Sequence, residues 1–132
     1  MTRLKGSCHC AAVTFEVDVS DVTERTTCDC SLCRKKNAQM IAVHESRFTL
    51  LTGEDKLGLY QWNTRVARHH FCTVCGIYTF HRKRSMPDHY GVNVFCLDGF
   101  DAEALPLRRA AGLDMTVAKD APAIYPGPRE PR

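Results

Sequence analysis

Apolar residues in this chain recur mostly at every second position. Val13, Phe15 and Val17 alternate with polar neighbours, as do Phe48 and Leu50 and, further on, Val92 and Val94. A period of two marks strands with one buried face. Leu57 to Trp62, Val66 to Phe71 and Ile77 to Phe80 add strand-like runs, with Asn63-Thr64 predicted as a hairpin turn between the first two. Roughly eight short strands are expected. Helical signals are few: a turn beginning near Ser31 that would cap Leu32 to Lys36, and a weak stretch around Ala102 to Ala111 broken by Pro106. The pattern predicts an all-β domain of short antiparallel strands with little helix. With 132 residues, 44% of them hydrophobic, the chain can build one modest core. We therefore expect a single domain over residues 1–121. Pro122, Pro126, Pro128 and Pro131 make residues 122–132 a proline-rich tail that cannot continue a helix or a central strand.

The cysteines change this picture. Seven of the eight fall in three tight groups, Cys8-His9-Cys10, Cys28-Asp29-Cys30-Ser31-Leu32-Cys33 and Cys72-Thr73-Val74-Cys75-Gly76. Disulfide frameworks scatter cysteines to join distant loops, whereas a metal needs several thiolates around one point. Zinc suits these spacings better than an iron-sulfur cluster, which uses longer cysteine runs. Cys8 and Cys10 can share an ion only if the backbone bends between them, because alternate strand residues face opposite ways. Gly76 after Cys72-x-x-Cys75 permits the left-handed turn that aims backbone N–H groups at sulfur.

Seven ligands do not make two complete tetrahedra. The simplest partition joins Cys8, Cys10, Cys72 and Cys75 in a closed four-thiolate site and leaves Cys28, Cys30 and Cys33 around a second ion with an open position. An open position accepts water or a substrate thiol and lowers its pKa. In the competing reading Cys96 or a histidine closes the second site and both ions are staples. Cys96, flanked by Phe95 and Leu97 after a β-branched run, is expected to be a buried small hydrophobe. His9 and the His69-His70 pair are candidates for orienting a ligand sulfur, and His44, His81 and His89 for proton transfer. No Ser-His-Asp arrangement, phosphate-binding glycine loop or HExxH signature is visible.

Charge adds little once metal is counted. Seven bound thiolates and two Zn²⁺ would cancel the formal net charge of +3, so basicity is weak evidence for a nucleic-acid partner. Clustered free thiols imply a reducing compartment. The first six residues contain no apolar signal segment, and no stretch approaches a membrane span. The expected location is the cytoplasm, without membrane contact.

The cysteine groups also carry a family resemblance. Gly6-Ser7-Cys8-His9-Cys10, Cys28-x-Cys30-x-x-Cys33-Arg34, His70-Phe71-Cys72-x-x-Cys75-Gly76 and Gly91-Val92-Asn93-Val94-x-Cys96-Leu97-Asp98 resemble the glutathione-dependent formaldehyde-activating enzyme and centromere protein V family, over roughly residues 3–101. The resemblance implies a β-tent zinc-binding fold, with a structural zinc on Cys8, Cys10, Cys72 and Cys75 and a catalytic one on Cys28, Cys30 and Cys33. It also implies carbon-sulfur lyase-type chemistry on the adduct of glutathione, or another thiol, with formaldehyde or a small aldehyde. Arg34 and Lys35 are candidates for holding the carboxylates of glutathione. Ala11 stands where the family often has glycine after Cys-His-Cys. The alternative is a zinc-stabilised binding module without catalysis, in which Arg82-Lys83-Arg84 contacts an acidic partner.

Overall fold

The computed structural model describes residues 2–62 and 64–112. Ten strands make two sheets: β1 (Arg3–Ser7), β2 (Thr14–Asp18), β3 (Arg25–Cys28), β4 (Met40–His44), β5 (Phe48–Thr52), β6 (Leu57–Tyr60), β7 (Arg68–Cys72), β8 (Tyr78–Arg82), β9 (His89–Asn93) and β10 (Leu107–Ala110). Among the described residues one α-helix, α1 (Ser31–Lys36), comes after β3. The smaller sheet has the order β1-β2-β5 and the larger β10-β3-β4-β9-β8-β7-β6. All pairings are antiparallel except β10 with β3. The all-β expectation holds.

Alternation along the strands builds the core between the sheets. Val13, Phe15 and Val17 are fully buried, and Phe15 and Val17 meet Ile41, Val43, Phe80 and Val92 from the larger sheet. The Phe15 ring stacks on Phe48 at 5.3 Å, and Phe48 in turn meets Phe80 at 4.6 Å. Burying such rings contributes roughly 2 kcal/mol each. Gly6 of β1 is required by this packing, because a Cβ there would overlap the Phe15 ring.

Two local expectations need correction. The cap of α1 is Cys30, whose Sγ accepts the Cys33 N–H at 3.4 Å, so Ser31 is the first helical residue. Around Ala102 to Ala111 only a 3-10 turn, Ala102–Ala104, precedes Pro106; residues 107–110 then pair with β3. Proline ends the turn, and the open edge of β3 recruits the next four residues as a strand. The Asn63 half of the predicted hairpin turn and the proline-rich tail lie outside the described residues.

Candidate metal centres and active site

Cys8 and Cys10 lie on the connection between β1 and β2 of the smaller sheet, whereas Cys72 ends β7 and Cys75 sits in the β7–β8 turn of the larger one. The fold brings the four Sγ atoms within 4.8 Å of one another. Cys8 and Cys10 are 3.6 Å apart, and Cys10 and Cys72 3.7 Å. Tetrahedral zinc with Zn–S bonds near 2.3 Å requires sulfurs roughly 3.8 Å apart. Backbone donors support thiolate: the Val13 N–H points at Cys8, and those of Val74 and Cys75 at Cys72, at 3.4–3.5 Å. Hydrogen bonds from the Cys10 and Ile77 N–H groups draw the Cys75 thiol down to about 6. The bend that Cys8 and Cys10 need is a turn through His9, closed by the Ala11 N–H on the Cys8 carbonyl at 3.3 Å; Ala11 then leaves it at φ 62°, and Gly76 at φ 79° serves the second turn. This cluster fits zinc, and an ion there would tie the two sheets together.

Cys28, Cys30 and Cys33 form a second group whose Sγ atoms also lie within 4.8 Å of one another. Cys28 closes β3, Cys30 caps α1 and Cys33 lies in its first turn, so one strand-to-helix corner supplies all three. The Cys30 thiol is pulled down to about 3 by the Cys28 and Cys33 thiols and by the N–H groups of Cys33 and Leu32. Cys33 is driven upward by the Cys28 and Cys30 thiols and by burial. The protein's own donors hold one negative charge among these three thiols, and a divalent ion is what would let all three ionise together. Cys96 belongs to neither group. It is buried, donates to the Tyr78 carbonyl at 3.6 Å, and has its thiol raised to about 12 by burial.

The three cysteines border a cavity of about 200 Å³. Leu32, Met40 and Trp62 form apolar wall; His69 and His81 face it, and Lys83, Arg84 and Arg108 supply positive charge. Arg34 and Lys35 are exposed on α1 and do not line it. The residue after them does matter: Lys36 turns inward, its Nζ 3.0 Å from His69 Nδ1 and 3.6 Å from the centre of the Tyr78 ring. Burial lowers its pKa to about 8. Of the other histidines, His44 and His89 pair with Asp88, His9 is exposed, and His70 packs against Phe80.

An all-β domain whose cysteines form one four-membered group and one three-membered group on a cavity, both able to hold zinc, is the class that fold and site define. Residues 3–109 match the family model described as glutathione-dependent formaldehyde-activating enzyme, and the chain belongs to that family. A crystal structure of a Rhodobacter sphaeroides protein, solved in a structural genomics effort, is similar to this chain at 41% sequence identity and a TM-score of 0.68. The match covers 79% of this chain and 99% of that one.

Proposed function

We propose that this protein is a zinc-dependent enzyme that makes or breaks the C–S bond between a thiol, glutathione in the first instance, and formaldehyde or a small aldehyde. The observation that carries this reading is the contrast between the two cysteine groups. Four thiolates complete zinc coordination, whereas Cys28, Cys30 and Cys33 leave a position to fill and lie beside a cavity. Zinc on these three residues would lower the pKa of a bound thiol so that its sulfur is nucleophilic at neutral pH.

The chain's own residues supply the rest. Leu32, Met40 and Trp62 keep the reacting carbon away from bulk water. Glutathione carries two carboxylates, and Lys83, Arg84 and Arg108 are cations at the cavity. Arg84 is exposed and Arg108 is shared with Glu24 at 2.9 Å, so Lys83 and Arg84 are the main anchors in this proposal, with Arg34 and Lys35 adding long-range attraction. Free cysteines and the chemistry of a cellular thiol are consistent with a reducing compartment such as the cytoplasm. Among the described residues no helix is long and apolar enough to cross a membrane. The binding-module alternative has less support, since Arg82 pairs with Glu45 and Tyr90 while Lys83 and Arg84 line the cavity, which disperses the basic run.

The test is zinc per chain by elemental analysis, with glutathione binding by calorimetry, for wild type and Cys30→Ser. Two ions in the wild type, one of them lost in the variant together with glutathione binding, is the expected result. One ion in both proteins and no thiol binding would contradict the proposal.

A further inference from the structure

Two imidazoles face the cavity, and their hydrogen bonds give them opposite roles. His69 of β7 lies opposite His81 of β8, and the rings stack with centroids 5.0 Å apart. On the next strand Gly91 is in register with His81, and a Cβ there would overlap the imidazole. The missing side chain is what lets the His81 ring lie against the sheet.

His69 Nδ1 is 3.0 Å from Lys36 Nζ. An ammonium group has no lone pair, so Lys36 donates, Nδ1 accepts, and the ring proton sits on Nε2. His81 is arranged the other way round. Its Nδ1 is hydrogen-bonded to the Tyr78 hydroxyl, which also lies 3.3 Å from the Gly91 carbonyl oxygen. A carbonyl only accepts and a phenol has one proton, so both contacts are satisfied when Tyr78 donates to Gly91 and accepts from His81 Nδ1–H. The lone pair of His81 is then on Nε2. Burial keeps both rings neutral, lowering His69 to about 3 and His81 well below the ordinary imidazole range. Among the described residues neither Nε2 has a hydrogen-bond partner, and both rings line the cavity shared with Cys28, Cys30 and Cys33.

We propose that His69 and His81 are the acid-base pair of this site: His69 Nε2–H binds the carbonyl oxygen of the aldehyde, and His81 Nε2 receives the proton of the thiol. The assignment rests on the function proposed above. As the S–H bond breaks, its proton passes to His81 Nε2, and the sulfur electron pair forms the C–S bond. The C=O π pair moves onto oxygen, where the His69 Nε2–H stabilises it. The proton on His81 then passes to that oxygen, giving the S-hydroxymethyl adduct and restoring the neutral ring. The reverse sequence releases aldehyde and thiol, and no oxidant or reductant is consumed. Lys36 is a positioning residue, holding the His69 tautomer while its Nζ sits over the Tyr78 ring.

The test compares wild type, His69→Gln, His69→Phe, His81→Asn and His81→Ala, each checked for two zinc ions and for glutathione binding, in catalysed exchange between formaldehyde and its glutathione adduct. The Gln amide can replace the Nε2–H donor but Phe cannot, so His69→Gln should lie within about tenfold of wild type and His69→Phe about 10²-fold below it. Both His81 variants should fall about 10²-fold, and added imidazole should restore part of the rate to His81→Ala. His81→Asn, nearer in size, carries the test if His81→Ala loses zinc. Wild-type acceleration that persists within twofold in zinc-replete His69→Phe and His81→Asn would overturn this pair and leave the function standing. No acceleration by the zinc-replete wild type would overturn the function itself and the pair with it.

Discussion

Gly112 passes over the second cysteine group so closely that a Cβ at this position would overlap Cys28 Sγ, with Cys30 Cβ and N also within about 3 Å of it. The chain reaches this place because β10 runs parallel to β3 and the Asp29 N–H reaches the Ala110 carbonyl at 3.4 Å. Gly112→Ala should therefore displace Cys28 while leaving Cys8, Cys10, Cys72 and Cys75 untouched. Elemental analysis should find one zinc per chain in place of two, with the fold retained by circular dichroism.

Ala11 holds a left-handed backbone at φ 62° between Cys10 and Val13. This conformation costs a residue with a Cβ about 1 kcal/mol or more. Glycine adopts it freely but loses more entropy on folding. Ala11→Gly should raise stability by roughly 0.5 kcal/mol without altering zinc content. The denaturant midpoint of the zinc-loaded protein reads this directly.

The two cysteine groups should differ in what their loss does to the fold. Cys8 and Cys10 come from the smaller sheet and Cys72 and Cys75 from the larger, so Cys72→Ser removes a link between layers. It should cost at least about 3 kcal/mol and abolish cooperative melting. Cys30→Ser disturbs one corner between β3 and α1, and its melting should stay cooperative.

Burial of His69 and His81 makes stability depend on pH. Both have folded-state pKa values below the ordinary 6.5, His69 at about 3. The unfolded chain then binds more protons than the folded one between those values. The His69 contribution is fully present above pH 6.5 and is lost as pH falls toward 3, by at most about 1.4 kcal/mol per pH unit, and His81 acts in the same direction. Urea midpoints at pH 7 and pH 5 should converge in His69→Gln relative to wild type, because the comparison isolates one ring from acid effects on the thiols.

Much of the site could be read from sequence because its cysteines are neighbours within turns: C-x-C, C-x-C-x-x-C and C-x-x-C-G fix sulfurs locally. The strands around Phe15, Phe48 and Phe80 were legible for a similar reason, since alternation is a local pattern. The Lys36-His69-His81-Tyr78 network was not. It depends on the register of β7 with β8 and on α1 packing beside them, and Lys36 and His69 are separated by 33 positions. Arg34 and Lys35, the candidates for glutathione's carboxylates, are exposed on α1, whereas Lys36, one residue on, is directed inward, a difference in helix face that the sequence around Cys33 does not reveal. Ser31 was the better cap by propensity; Cys30 takes the position because its sulfur is held there with Cys28 and Cys33.

In the function proposed here, Cys28, Cys30 and Cys33 activate a thiol toward a small carbonyl. The most direct measurement is the exchange rate between ¹³C-formaldehyde hydrate and its glutathione adduct by NMR, with zinc-loaded wild type, Cys30→Ser and buffer alone. Exchange faster than buffer in wild type, falling to the buffer rate in Cys30→Ser while the zinc held by Cys8, Cys10, Cys72 and Cys75 remains, is the expected result. Equal rates in all three samples, with two zinc ions bound to the wild type, would contradict the account.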